Sequence, residues 1–459
     1  MRSRSAAALL GVLAALGLLV LGAAPASAHG GATPDVVSVA QTLGLHELTV
    51  TMYLPTEGAG PMPVRVVPQG RALDGPLLVR AVPAGAGAPT SEVALAPGSR
   101  PGAPSAGTLQ IDRPGAWEVV LVASPDVARI PVAIPGPPPT PAGVWVVRVG
   151  AVVAAVGAVA AAALWRRRPR TALGLGAGAL IGAATAVTAA VLAPGAAAAP
   201  DPTPPGHDMA VHSPGGGAVV LTPNVQPSAD GLVELTLGLT DGSTGARVDD
   251  LEVHDDALVH LAVVGPGGRL WHVHPVRTAP GRFAVRLPVS DPGRYALFAE
   301  LERDGGGHQV TRSAFTLAGV PRPAPTPPDG PGARDVAGMR VDVTVATPVA
   351  GRVSRVELAF SENGRPVRDL QSWLGMGGHL LVFGPSAGAA DPDPADPATS
   401  FAHLHFTGPP VQYGYGPNVV FTYAFPAGGR YQLWAQVQRG WQLVTIPITV
   451  DVSPMPTGT

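Results

Sequence analysis

The chain has 459 residues, a formal net charge of -2, no cysteine and no lysine among its basic residues. The length allows about three domains, the near-neutral charge gives no reason to expect nucleic acid as a partner, and the missing cysteine excludes disulfides, thiolate metal sites and cysteine nucleophiles. The all-arginine basic set, with Gly 59 and Pro 53, reads as a high-GC codon bias rather than as a basic surface.

Residues 1–28 read as a secretory signal peptide. Arg2 and Arg4 form the charged start, Ala6 to Leu21 the apolar stretch, and Ala26-Ser27-Ala28 a small-residue cleavage site. Cleavage there makes His29 the first residue of the exported chain. A terminal histidine offers its free amine and Nδ1 as a chelate, and His46 is a candidate to complete such a brace. Residues 29–135 show short apolar runs separated by Gly and Pro clusters, which predicts an extracytoplasmic β domain. Residues 136–143 form a Pro-rich linker.

Two apolar stretches follow, at 144–165 and 171–193, with the basic turn Arg166–Arg170 between them. Each is long enough to cross about 30 Å of hydrocarbon, and the arginines favour the cytoplasmic side. The expectation is a two-helix transmembrane hairpin, with cell-membrane localisation and both large flanking regions extracytoplasmic. Residues 194–205 are an Ala/Pro linker.

The regions 206–319 and 335–453, joined by the Pro-rich segment 320–334, each carry a series of seven short strand candidates. The fold class expected is therefore all-β, with three immunoglobulin-like sandwiches, the last two a tandem duplication. Val248 to Pro266 aligns without a gap onto Val367 to Pro385, and Pro292-Gly-Arg-Tyr-Ala-Leu-Phe-Ala-Glu300 echoes Gly428-Gly-Arg-Tyr-Gln-Leu-Trp-Ala-Gln436. Glu300 and Gln436 thus occupy equivalent strand positions.

The duplication carries histidines. His260, Trp271-His272-Val-His274-Pro275 in the first copy correspond to His379, Phe401-Ala-His403-Leu-His405-Phe406 in the second, so six of the 12 histidines lie in two repeated sets. Histidine is the commonest metal ligand, and an i, i+2 pair puts both rings on one face of a strand. Whether His260 joins its pair depends on the turn at Gly265-Pro-Gly-Gly268. A three-residue turn places His260 opposite His274 and unites the set, whereas a four-residue turn splits it. Three imidazoles without sulfur suit copper or zinc. The competing reading makes these histidines structural, hydrogen-bonded in a polar corner of the sandwich, and duplication repeats either role equally well. The second copy departs from the first at Trp373, which replaces His254, at Phe406, and in an insertion, Ser386 to Ser400, bearing Asp391, Asp393 and Asp396. His254 is a weaker candidate ligand.

Leu-Val-His260-Leu-Ala-Val-Val with Trp-His272-Val-His274-Pro, and Gly-Gly-His379-Leu with Phe-Ala-His403-Leu-His405, resemble an uncharacterised family of bacterial extracytoplasmic β-domains. The resemblance spans about 245–452 and implies a secreted or membrane-anchored location and an association with heavy-metal or copper handling. The expected role is a non-enzymatic carrier, sensor or buffer working with the membrane and a metal-handling envelope protein. The alternatives are an interaction scaffold and a copper enzyme built on His29. No G-x-S-x-G or H-E-x-x-H motif and no paired carboxylates suggest catalysis.

Overall fold

A computed structural model describes residues 36–136, 142–192, 217–319 and 330–455, apart from positions 57, 99, 229–231, 387–392, 394–395, 397, 407 and 410–413. The chain divides into two units, one containing residues 136–211 and the other containing residues 34–135 and 212–459.

In the first unit, helices α1 (Ala142–Leu164) and α2 (Pro169–Leu192) pack against each other. Glycines allow the close approach: a Cβ on Gly157 would lie 3.0 Å from that of Ala179, and one on Gly182 3.0 Å from the Gly150 carbonyl oxygen. The expectation of a transmembrane hairpin is corrected here. No helix among the described residues is long and apolar enough to cross a membrane. The composition explains why length misled: both helices are dominated by Ala and Gly with scattered larger apolar residues, and small side chains bury little apolar area each. The leader 1–28 and His29 lie outside the described residues.

The second unit is built of strands. In its N-terminal part, β1 (Val36–Leu43), β2 (His46–Tyr53), β3 (Gly60–Gln69) and β6 (Ser105–Ile111) form a sheet in the order β1-β2-β3-β6. The sheet β5-β4-β7-β8 is made by β4 (Leu77–Pro83), β5 (Ser91–Leu95), β7 (Gly115–Ala123) and β8 (Asp126–Ile134). Alternate residues point inward, as a two-sheet sandwich requires, and Val50, Met52, Val64, Val79, Trp117 and Ile130 fill one core.

The first repeat runs from β9 (Val219–Pro227) and β10 (Val233–Asp241) through β11 (Leu251–Glu252), β12 (His260–Gly265), β13 (Arg269–Val273), β14 (Val276–Ala279) and β15 (Arg282–Leu287) to β16 (Gly293–Arg303) and β17 (Gly307–Leu317). Its sheets are β14-β15-β10-β9 and β11-β16-β12-β13, with β17 on β16. The second repeat comprises β18 (Gly332–Val336), β19 (Met339–Val345), β20 (Val353–Glu362), β21 (Arg365–Pro366), β22 (His379–Phe383), β23 (Phe401–His405), β24 (Asn418–Ala424), β25 (Gly429–Arg439) and β26 (Gln442–Val452). Here the sheets are β18-β19-β20-β21, with β24 on β20, and β23-β22-β25-β26.

One packing feature positions everything that follows. Every residue of β12 and of β22 is buried, so these strands are covered on both faces. One face of each feeds its own sandwich core: Leu261 and Val263 in the first repeat, Leu380 and Val382 in the second. The opposite faces meet each other. Ala262, Val264, Ala296 and Phe298 of the first repeat join Leu381, Phe383 and Trp434 of the second in a separate core, with Leu270 and Phe401 at its margin. The repeats are thus glued sheet to sheet through an apolar layer. Phe298 stacks on Phe401 with centroids 4.6 Å apart and meets Phe383 edge-on at 5.1 Å, geometries aromatic rings favour.

A candidate metal centre between the repeats

The turn at the tip of β12–β13 decides the first histidine set. Gly265 pairs with Arg269 and Leu261 with Val273, so Pro266, Gly267 and Gly268 form a three-residue turn. Gly267 and Gly268 both have φ of 71°, a left-handed conformation that glycine adopts without a Cβ clash. In this register His260 falls opposite His274, while His272 faces Ala262. In the second repeat His379 pairs directly with His405, and His403 with Leu381. All six histidines therefore sit on the sheet faces that meet between the repeats, at one end of the shared apolar layer.

The six rings form a single cluster rather than one site per repeat. His272 and His403, from different repeats, have ring centroids 4.7 Å apart, and His260 and His403 5.4 Å. His403 and His405 are 4.5 Å apart, His379 and His405 4.9 Å, and His260 and His274 5.0 Å. Two triads bring their ring nitrogens within 4.8 Å of one another: His260, His272 and His403, and His379, His403 and His405. His403 belongs to both. Trp373 closes one side, with its ring 4.7 Å from His379 and 5.1 Å from His272.

Polar partners fix which nitrogen looks inward on five of the six rings. His272 Nδ1 donates to Gln436 Oε1 at 2.9 Å, and His403 Nδ1 donates to Glu300 Oε2 at 2.7 Å. These two bonds are reciprocal, since Gln436 and Glu300 are equivalent residues of the two repeats. His274 Nδ1 donates to Glu47 Oε1 at 2.6 Å, so the N-terminal domain supplies one support. That domain is held there by a backbone bond from Thr42 N to the His274 carbonyl at 2.7 Å. His405 Nδ1 lies 3.0 Å from Asp255 Oδ2, and His260 Nε2 donates to the His254 carbonyl at 3.0 Å.

What remains is a set of buried nitrogens without partners: Nε2 of His272, His274, His403 and His405, Nδ1 of His260, and both nitrogens of His379. A buried polar atom without a partner is costly, and six rings leaving one in the same place need an explanation. A carboxylate or amide on one ring nitrogen with the other left open is the arrangement that orients metal-ligating histidines.

The electrostatics point the same way. Burial pushes the imidazoles of His260, His272 and His379 well below the ordinary histidine range, and neighbouring rings push further in that direction. Burial lowers His403 too, opposed by its bond to Glu300. Burial works to raise Glu300, but the bonds from His308 and His403 outweigh it and hold the carboxyl far below its usual range. Burial thus favours the neutral form of His260, His272, His379 and His403, the form a metal requires, and the bonds to Glu300 favour its ionised form.

Of the other sequence candidates, His46 sits on β2 with Nε2 3.3 Å from Asp74 Oδ2 and Nδ1 buried without a partner, and it is in neither triad. His254 stands outside the cluster, with Nδ1 2.8 Å from Glu302 and Nε2 3.1 Å from Asp255. Sequence reasoning missed the carboxylates Glu47, Asp255 and Glu300 as supports, and His308, whose Nε2 lies 2.7 Å from Glu300 Oε1. The signal for Glu300 was its alignment with Gln436. Nothing local marked Glu47, which is remote in sequence. Asp391 of the insertion lies outside the described residues; Asp393 and Asp396 belong to neither triad.

Comparison with known proteins agrees with the duplication. Residues 213–318 and 334–454 each match a family described as a domain of unknown function (DUF8832). The two matches fall on the two repeats and are consistent with an uncharacterised repeat family, and that description offers no support for the association with metal handling. No curated protein matches. Among solved structures, a tetra-tandem repeat from the extending region of a large adhesion protein is 9% identical, with 91% of this chain and 74% of that chain covered and a TM-score of 0.17. A Salmonella alpha-2-macroglobulin is 12% identical, covering 89% and 22% at a TM-score of 0.18. A 1.5-MDa bacterial ice-binding adhesin is 7% identical, covering 92% and 98% at 0.17. Scores this low carry no argument about fold or function.

Proposed function

We propose that this is a non-enzymatic, exported metal-binding protein that holds a transition-metal ion, copper or zinc, in the six-histidine centre between its repeats, and so serves as a carrier, sensor or buffer. The observation that carries the reading is the set of buried ring nitrogens without partners, backed by Glu300, Gln436, Glu47 and Asp255 on the far side of their rings. Nitrogen-only ligation suits copper and zinc. Both triads draw on His403, whose Nδ1 is committed to Glu300, leaving that ring one lone pair and hence one ion. The proposal is therefore one tightly held ion per chain, where the sequence alone had suggested a site in each repeat. Export rests on the leader at 1–28.

The test is titration of metal-free protein with Cu(II) and with Zn(II), following heat release and thermal unfolding. One tight equivalent that raises the melting temperature supports the reading, because an ion bound only by the folded state stabilises it. Absence of any tight equivalent, with unfolding of the His272→Ala variant in metal-free buffer, would leave the histidines as structural groups.

A further inference from the structure

The supporting carboxylates on one flank of the centre face two ways. Glu300 Oε2 accepts from the buried His403, and Oε1 accepts from His308 Nε2 at 2.7 Å. Asp255 Oδ2 lies 3.0 Å from the half-buried His405 Nδ1 and 3.1 Å from His254 Nε2. Each carboxylate therefore joins an inner histidine to an outer one. The outer pair is accessible: the side chains of His254 and His308 are 32% and 43% exposed, against 1% for His403 and 9% for Glu300. Their rings are 5.2 Å apart, and ligand atoms of His254, Glu300 and His308 come within 4.8 Å of one another.

The duplication shows that this outer group is present on one side and not on the other. At the positions equivalent to His254, Asp255 and Glu300 the second repeat has Trp373, Leu374 and Gln436. Trp373 and Leu374 are 3% exposed, so the corresponding flank is closed by apolar side chains. The other approach, past His274, is covered by Glu47 and Thr42 of the N-terminal domain. At two of these positions the apolar Trp373 and Leu374 stand where the first repeat has an imidazole and a carboxylate, and at the third an amide stands where it has a carboxylate.

We infer that His254, His308 and Glu300 form a second, solvent-facing divalent-metal site that receives an ion and passes it to the buried histidines beside it. The inference rests on the proposed buried centre for the hand-over and on its own geometry for the outer site. Two nitrogens and a carboxylate oxygen make a weaker, open ligand set, suited to exchange with solvent. Moving inward, the ion exchanges His254, His308 and Glu300 for the open nitrogens of His403 and its neighbours, while Glu300 stays bonded to His403 Nδ1. Binding at the outer site breaks the hydrogen bond between His308 Nε2 and Glu300 Oε1, the imidazole proton moving to the other ring nitrogen or to solvent; otherwise only metal–ligand bonds change.

The experiment uses the whole protein, stripped of metal and mixed rapidly with Cu(II). Trp373 touches the buried centre, so quenching of its fluorescence reports arrival there, and Trp373→Phe identifies that part of the signal. The variants are His308→Gln alone and His254→Ala with His308→Gln. In the unaltered protein, titration should give one tight and one weaker equivalent. The double variant should lose the weaker equivalent, keep the tight one, and fill the buried centre at least ten-fold more slowly, with His308→Gln intermediate. Filling at the unaltered rate, or retention of the weaker equivalent, overturns the inference while leaving the buried centre intact. A weaker equivalent lost in the variants, without any tight one in the parent, upholds the outer site and defeats both the buried centre and the hand-over.

Discussion

His403 Nδ1 stands 2.7 Å from Glu300 Oε2, and the two residues belong to different repeats. Its counterpart across the pseudo-symmetric interface is the 2.9 Å bond from His272 to Gln436. The repeats differ here by one atom type, an acid on one side and an amide on the other. Replacing Glu300 by Gln makes the two sides alike and removes the charge behind His403. Metal affinity should fall by roughly 10–100-fold, the usual effect of altering a group behind a ligand, with little change in the circular dichroism spectrum. Calorimetric titration of Glu300→Gln measures it.

His403 contributes to both triads and His274 to neither. His403→Ala should therefore abolish tight Cu(II) or Zn(II) binding, and His274→Ala should leave part of it. Equal losses from the two variants would argue against the shared-ligand geometry. As joint ligands of the proposed centre, His272 and His403 should give a double variant no worse than the worse single one, a non-additivity expected of residues acting as a unit.

Stability without metal should depend on pH in a defined direction. His260, His272 and His379 have folded-state values below the ordinary 6.5. Between the folded and unfolded values the unfolded chain binds more protons, so stability falls as pH drops below about 6.5. Above that value these rings are neutral in both states and contribute no slope. Glu300 and Asp255, held below 4.5 and 3.8 respectively, add a further loss once the unfolded carboxyls begin to protonate. Urea unfolding of metal-free protein at pH 7.5, 6.0 and 5.0 should show midpoints decreasing in that order, and bound metal should steepen the decline. A flat response across this range contradicts the burial of neutral rings.

Phe298 is fully buried between the repeats and stacked on Phe401. Phe298→Ala should cost about 3–5 kcal/mol, the range for removing a buried aromatic side chain. It should also weaken metal binding, since the apolar layer holds the histidines of the two repeats against each other. Denaturant unfolding and metal titration of the same variant test the two effects together. Loss of stability with full metal affinity would show that the histidines align the repeats by themselves.

Much of the strand pattern was legible because alternation and Gly/Pro punctuation are local. Short edge strands such as Leu251–Glu252 and Arg365–Pro366 carry too few residues to show a period. The histidine register was open because the Gly265–Gly268 segment accommodates turns of either parity, and only the Gly265–Arg269 pairing closes it. The merging of two sets into one cluster depends on which sheet faces meet. That had a readable trace: His260-Leu-Ala-Val-Val and His379-Leu-Leu-Val-Phe are apolar at every position after the histidine, whereas a strand with one solvated face alternates. The two helices misled for the opposite reason, since apolar length was counted without weighing how little surface Ala and Gly bury.

The reciprocal bonds His272–Gln436 and His403–Glu300 have a consequence for origins. A contact in which each partner uses the same patch is what a two-fold dimer makes. A one-repeat ancestor pairing with its own copy would have assembled this centre between two chains. Fusing the copies made assembly independent of concentration and released the halves from identity. One half was then free to wall its flank with Trp373 while the other carried His254 in the same place.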